Sequence, residues 1–224
     1  MKRNTVWASI FGMLISIPAV VAAQNNGSAS QSTAVEEQDN TNTWSPQLGA
    51  NIVKQVRDKL TGLTDYGVFD SLRFAFKGKT IVLKGYASRP ALKSDAERAV
   101  KGIEGVEGVE NQIQVLPPSP NDDRIRVSLY RRIYSQPTLR KYTSASPGFG
   151  EGPSVARAAG GITQDPPMGY HAIHIIVDNG NVILSGVVDS KTDADVAAIQ
   201  ANSAPGVFSV DNDLQVAGNG KDAK

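Results

Sequence analysis

One stretch of the chain, Lys79 to Val115, decides the fold because it occurs twice. Its first part, quoted with the preceding glycine, is GKTIVLKG at residues 78–85, which aligns with NGNVILSG at residues 179–186. At the same offset of 101 residues, and without a gap, GVEGVENQIQV at 105–115 aligns with GVFSVDNDLQV at 206–216. Two apolar runs in fixed register, separated by about twenty residues with helical periodicity, indicate one small domain that has been duplicated.

Each copy carries the pattern helix, strand, strand, helix, strand. In the first copy, apolar residues recur at helical spacing over 48–60 and alternate with other residues over 72–76, as in a strand with one buried face. A second strand follows at 81–83, a second helix at 92–103 and a last strand at 109–115. We therefore expect an α+β fold made of two α-β-β-α-β modules, each a three-stranded mixed sheet with two helices on one face.

The second copy repeats this pattern with one large insertion. Its first helix spans 125–133 and its first strand 173–177. About 28 extra residues, at roughly 135–170, lie between them, a length at which loops are either functional or disordered.

Ser88 and Asp189 occupy equivalent positions before the second helix of each copy, and both are predicted to cap it.

The two ends of the chain differ in composition from the modules. Lys2 and Arg3 precede an apolar run that closes on small residues, the pattern of an export signal, so we expect an exported protein of the periplasm, peripheral to the outer membrane. A polar segment with almost no apolar residues follows, and it cannot offset the cost of ordering. The predicted organisation is a signal peptide at 1–23, a disordered spacer at 24–46, a first module at 47–117, a second module at 123–217 with its insertion at about 135–170, and a disordered tail at 218–224.

Composition excludes several classes of function. The chain has no cysteine, which excludes disulfides, thiolate metal sites and a cysteine nucleophile. Without Lys2 and Arg3 it carries 21 basic and 22 acidic residues, a net charge of −1. Neither this balance nor export favours a nucleic-acid partner.

Four glycines stand at equivalent positions in the two copies. Gly85 and Gly186 end the second strand of each copy, and Gly105 and Gly206 begin the motif that leads into the last strand. We interpret them as structural glycines, needed where the backbone has positive φ or where a side chain would crowd a neighbouring element.

Catalysis finds little support in the sequence. The two histidines, His171 and His174, are three residues apart, so on a strand they point to opposite faces and do not form a metal pair. No residue group offers a nucleophile beside a base. We therefore expect no enzyme activity, no metal and no cofactor.

The distribution of charge is more informative than the total. Residues 124–160 carry seven basic side chains against Glu151 alone, whereas seven acidic residues oppose three lysines from His171 to the end. Such segregation lets one side of a protein meet an anionic surface. The candidate contacts are Arg131, Arg132, Arg140 and Lys141. In the alternative interpretation these charges solvate the helix and pair with the acidic end of the same domain.

These residues resemble the BON family (bacterial OsmY and nodulation), small modules of exported and envelope proteins that commonly occur in tandem. The resemblance rests on the strand endings at Leu83-x-Gly85 and Leu184-x-Gly186 and on the two Gly-Val-x-x-Val-x-Asn motifs, and it covers about 50–117 and 123–217. It implies the same α-β-β-α-β fold and association with anionic phospholipids or outer-membrane components. In some members it implies a stress-protective or chaperone-like role.

Two functional hypotheses follow. The first is a non-catalytic exported protein that attaches to anionic phospholipid or to the outer-membrane surface through its tandem modules. The second is a periplasmic chaperone-like or protein-interaction module in envelope or osmotic stress protection, which would bind envelope proteins through a sheet edge or an open sheet face.

Overall fold

The structure is a computed structural model that describes residues 44–144 and 161–218. The first module consists of α1 (Pro46–Thr61), β1 (Ser71–Lys77), β2 (Thr80–Ala87), α2 (Pro90–Lys101), β3 (Gly108–Asn111) and β4 (Gln114–Val115). The second consists of α3 (Pro120–Tyr134), a 3-10 turn (Arg140–Tyr142), β5 (Ile173–Asp178), β6 (Asn181–Val188), α4 (Lys191–Asn202) and β7 (Ser209–Val216).

Both sheets are mixed and have the same register. β1 and β5 lie antiparallel to β2 and β6, and the last strand of each module lies parallel to that central strand. Leu83 is opposite Asn111 in the first sheet, and the equivalent Leu184 is opposite Asn212 in the second. The predicted fold of two α-β-β-α-β modules is therefore confirmed. One detail differs, because the last strand of the first sheet is interrupted and β3 and β4 pair separately with β2.

Each module buries its own core between its helices and one face of its sheet. Ile81 and Leu83 of β2 pack with the apolar stripes of α1 and α2. In the second module, the odd-numbered residues of β5 pack with α3 and with the alanines of α4. Alternation along the strands thus leaves the opposite face of each sheet without helices.

Gly85 and Gly186 are required by a close approach between two strands. Both have positive φ, 115° and 130°. A Cβ at Gly85 would lie 1.9 Å from the carbonyl oxygen of Ser71, and one at Gly186 would lie 1.9 Å from that of Ala172. The crowding element is therefore the preceding strand, and the same collision occurs in both copies.

The asparagine of the repeated motif joins the last strand to the second helix. Asn111 Nδ2 donates to the carbonyl of Lys93, and its Oδ1 accepts from the amide of Ile113. Asn212 makes the same two bonds in the second module, to Ala194 O and from Leu214 N. The side chain satisfies an amide in the last strand while it holds the helix against the sheet.

Both described ends of the insertion contribute to the second core. Leu139, Tyr142 and Ile162 are buried in it, and Thr143 forms an isolated β-bridge with His171. The segment predicted as a loop at 135–170 is therefore partly packed. Residues 145–160 lie outside the described residues.

Several predicted boundaries shift by a few residues. Trp44, placed in the spacer, donates its indole N–H to the carbonyl of Gly105, and Ser45 caps α1. α3 begins at Pro120 with Ser119 as its cap, a few residues before the predicted start of the second module at 123. Residues 1–43 and 219–224, which include the predicted signal peptide and most of the tail, are outside the described residues.

The prediction that Ser88 and Asp189 cap the second helices was wrong. α2 is preceded by Arg89, whose side chain makes no capping bond, and α4 is capped by Ser190, which accepts from Asp193 N. The side chain of Asp189 instead pairs with Lys141.

The face of the second sheet that lacks helices is contacted by the first module. His174, Ser185 and Asp213 form one row across this sheet. Each has a partner in the first module: Tyr66 Oη is 3.3 Å from His174 Nε2, Ser185 Oγ donates to Ser71 Oγ at 2.8 Å, and Arg73 Nη2 is 3.1 Å from Asp213 Oδ2.

The segment before β1 extends this contact along the edge of β5. Ile175 N donates to the carbonyl of Val68 at 2.7 Å, and Val68 and Phe69 are buried in the second core. Ile176, on the same face as His174, is fully buried. The two modules therefore pack as one compact unit.

None of the described helices is long and apolar enough to cross a membrane.

Candidate functional site: a basic face on the second module

The candidate basic residues belong to α3 and to the turn that follows it, and α3 is fixed at its N-terminus. Asp122 is 1% exposed, and its carboxylate accepts from the amides of Asn179 and Gly180 in the β5–β6 turn, at 3.0 and 2.9 Å. Both turn residues have positive φ, as a two-residue hairpin turn requires. Because this carboxylate ties α3 to the sheet, the arginines along α3 have defined directions.

Arg126 does not contribute to the basic surface. Its side chain is 2% exposed, and its guanidinium donates to Asp123 Oδ1 at 2.7 Å and to the carbonyl of Val177 at 2.6 Å. A sequence pattern that places arginines around an apolar stripe cannot separate a buried arginine from an exposed one. This residue neutralises a carboxylate and satisfies a strand carbonyl instead.

The remaining α3 arginines lie toward solvent. Arg124 and Arg131 are exposed and seven residues apart, so they share one face of the helix. Arg132 is half-buried and donates to Ser203 Oγ, next to the C-terminus of α4, at 3.2 Å. Arg140, in the 3-10 turn, is exposed. Three of the four predicted contact residues, Arg131, Arg132 and Arg140, therefore lie on or next to the exposed side of α3.

Lys141, the fourth predicted contact, is held by two carboxylates. Its ammonium lies 2.8 Å from Asp189 Oδ2 and 3.1 Å from Asp193 Oδ2, and it stacks 4.9 Å from the centroid of the Tyr142 ring. Asp189 and Asp193 raise the pKa of Lys141. For this residue the structure agrees with the interpretation that charges pair with the acidic part of the same domain.

The carboxylate of Asp193 also binds the turn that carries Lys141. Tyr142 Oη donates to Asp193 Oδ2 and accepts from the amide of Asp189, both at 2.7 Å. The Tyr142 hydroxyl, followed by the Lys141 ammonium, lowers the pKa of Asp193, although burial opposes this. This local network fixes the 3-10 turn against the start of α4, which positions Arg140.

The two histidines have similar hydrogen-bond partners, and His171 is buried while His174 is half-buried. His171 Nδ1 lies 3.0 Å from Gly169 O and His174 Nδ1 lies 3.1 Å from Gly67 O. Since a carbonyl only accepts, each Nδ1 carries the proton, and each Nε2 accepts from a tyrosine hydroxyl, that of Tyr130 or Tyr66. Burial lowers the pKa of His171 to about 4 and also lowers that of His174.

Across residues 44–144 and 161–218, no group of three or more His, Asp or Glu side chains is placed to hold a metal ion. The basic face of the second module can therefore bind a partner through its positive charge and its exposed surface.

Comparison with known proteins identifies the family. Residues 69–117 and 160–218 match the family model described as BON domain. Each match contains the two-stranded hairpin, the second helix and the last strand, and the first helix of each module lies outside it. The two matches show two BON domains in tandem, as the resemblance of the repeated motifs implies.

No curated protein matches the chain. Among solved structures it is similar to CdsD, described as the structural protein of the Type III secretion system of Chlamydia trachomatis. One structure, of the C-terminal domain, has 15% identity and a TM-score of 0.25 over 74% of this chain and 97% of that one. A second structure of CdsD has the same identity and TM-score and also aligns with 74% of this chain. The alignment covers 92% of that second structure.

Proposed function

We propose that this tandem BON-domain protein is a non-catalytic, exported protein that attaches to anionic phospholipid at the cell envelope. The observation that carries the proposal is the set of exposed or half-buried arginines on α3 and its following turn: Arg124, Arg131, Arg132 and Arg140. Rigid elements hold them on one module, while the acidic residues of that module are partly neutralised by Lys141, Arg73 and Lys191.

The expected strength follows from the charges. A lysine or arginine near an anionic lipid surface contributes about 1 kcal/mol at physiological ionic strength. Arg131, Arg132 and Arg140 together would therefore contribute about 3 kcal/mol, roughly a 100-fold change in affinity. Salt should reduce this contribution, since screening shortens the range of the attraction.

Co-sedimentation with vesicles tests the proposal. The protein is mixed with vesicles of zwitterionic lipid alone or with a third of anionic lipid, at low and high salt. We expect binding to the anionic vesicles only, and weaker binding at high salt. Equal, negligible sedimentation under all four conditions would overturn the proposal.

Two variants locate the contact. R131Q/R132Q/R140Q should bind anionic vesicles roughly 100-fold more weakly. K54Q/R57Q/K59Q removes the same charge from the exposed face of α1 in the first module and is the matched control. Equal losses from both triple variants would mean that net charge, and not this face, drives binding. The single variant K141Q should have a smaller effect than R140Q, because Lys141 already pairs with two carboxylates.

The alternative function, capture of a protein on the open sheet face, receives less support from the packing. In the second module that face is contacted by the first module through Tyr66, Ser71 and Arg73, and its Ile176 is fully buried. A client would have to displace these contacts. Suppression of client aggregation by R131Q/R132Q/R140Q, at the level of the unmodified protein, would favour this alternative.

A further inference from the structure

The duplication provides an internal comparison of two surfaces built on the same fold. At two equivalent positions the first module has charged residues and the second has large apolar ones. Arg98 and Glu107 correspond to Ile199 and Phe208 at the offset of 101 residues. Arg98 pairs with Asp95 at 2.9 Å, and Glu107 pairs with Lys79 at 3.0 Å. Ile199 is 63% exposed and Phe208 is 80% exposed.

Ile199 points directly away from the core. It lies on α4 between Ala197 and Ala201, which are both fully buried. A residue two positions from each of these is on the opposite side of an α-helix. A residue of this size therefore stands on the outer surface of the helix layer, where it contributes nothing to the core.

Phe208 immediately precedes β7 and is held against the β5–β6 turn. Its amide donates to the carbonyl of Gly180 at 2.9 Å, and its ring lies so close to Gly180 that a Cβ there would be 2.5 Å from Cδ2. The turn at Gly180 is in turn held by Asp122. The even-numbered residues Val210 and Leu214 of β7 pack on the helix side, so the alternation places Phe208 on that side too.

Ile199 lies beside the basic face at the C-terminal end of α4. Arg132 donates to Ser203 Oγ, and the amide of Ser203 donates to the carbonyl of Ile199 one helical turn earlier. Phe208 follows the same C-terminal end of α4 after a short turn. Exposed apolar side chains beside arginines are suited to an anionic lipid interface, where the cations meet headgroups and the apolar groups reach the acyl boundary.

We propose that Ile199 and Phe208 are apolar anchors that enter the bilayer when the basic face of the second module lies on an anionic membrane. The proposal rests on the proposed lipid-binding function and adds a contact that does not depend on charge. Electrostatic attraction should bring this face to the membrane, and the anchors should keep part of the binding when salt screens the charges.

Tryptophan substitution tests the contact at matched positions. The probes are F208W and I199W, and their controls are E107W and R98W at the equivalent exposed sites of the first module. Trp44, the native tryptophan outside the predicted signal peptide, is common to all four variants. With anionic vesicles, F208W and I199W should show a blue-shifted emission and quenching by brominated acyl chains, whereas E107W and R98W should show neither.

Removal of the anchors gives a second measurement. I199S/F208S should bind anionic vesicles roughly tenfold more weakly at high salt, since two partly buried apolar contacts are lost. R98S/E107S, the matched control, should change binding less than twofold. Unchanged circular dichroism in both variants would show that the fold is intact.

The outcomes separate the anchors from the proposed function. If anionic vesicles bind the protein but the F208W and I199W probes respond no more than their controls, the anchors are wrong and lipid binding stands. If no variant sediments with anionic vesicles, both proposals fail. If I199S/F208S keeps full binding at high salt, the anchors are also refuted.

Discussion

Acidification from pH 7 to pH 5 should destabilise the folded protein through His171. In the folded state burial lowers the pKa of this side chain to about 4, from an ordinary value of 6.5. Between these values the unfolded chain binds a proton that the folded chain does not. Stability is therefore unaffected above pH 6.5 and falls as the pH drops toward 4.

The magnitude follows from the size of this window. Each pH unit within it changes the free energy of unfolding by up to about 1.4 kcal/mol, so His171 alone should cost about 2 kcal/mol between pH 7 and pH 5. The side chain is only 5% exposed, and protonation of Nε2 would remove the acceptor for the Tyr130 hydroxyl. His174, whose pKa burial also lowers, should act in the same direction.

The assay is denaturant unfolding followed by circular dichroism at pH 7, 6 and 5. The comparison is with His171→Gln, which keeps a polar side chain of similar reach but does not titrate. The variant should be less stable at pH 7, because it loses ring contacts with Tyr130 and Tyr134, but its stability should depend less on pH. Asp70, whose pKa burial raises, titrates in both proteins, so its contribution cancels. Parallel pH profiles for the two proteins would refute the reasoning.

Three other predictions concern the fold. Gly186→Ala should lower the free energy of unfolding by about 3 kcal/mol or more, because a collision with the carbonyl of Ala172 adds to the strain of positive φ. The control Gly218→Ala, which has positive φ but nothing within 4 Å, should lower it by about 1 kcal/mol. Equal shifts in the unfolding midpoint would contradict this. S71C/S185C should form a disulfide between the modules, since the two Oγ atoms are 2.8 Å apart and the chain has no other cysteine; no bond under oxidising conditions, by mass spectrometry, would argue against this packing. Asp122→Ala should lower stability by about 2 kcal/mol or more, because the amides of Asn179 and Gly180 lose their acceptor and that of Gly180 is buried. An unchanged unfolding midpoint would contradict this.

Much of the fold follows from local and repeated patterns. The 101-residue offset predicts both modules, because apolar runs that repeat in the same register are expected to form the same elements and the same core in each copy. The sequence predicts that Gly85 and Gly186 are structural, because of positive φ or crowding by a neighbouring element. The element that crowds them, the carbonyl of the preceding strand, is known only when the register of that strand is fixed.

The candidate site shows where sequence reasoning ends. A helical period places an arginine on a face, but whether that face meets solvent depends on what packs against it. Arg126 is therefore buried against Val177, while Arg131, five residues later, is exposed. Lys141 is paired because the insertion returns its turn to the start of α4, a contact across about fifty residues that no local pattern specifies.

The sequence alone thus determined the class of fold and the duplication, since these depend on periodicity and on repeats along the chain. Tertiary structure decided which charges remain at the surface, where the histidines are buried and how the first module contacts the second sheet. The physical reason is that burial and pairing are set by neighbours distant in sequence. His174 illustrates it, because its partners Tyr66 and Gly67 lie more than one hundred residues away.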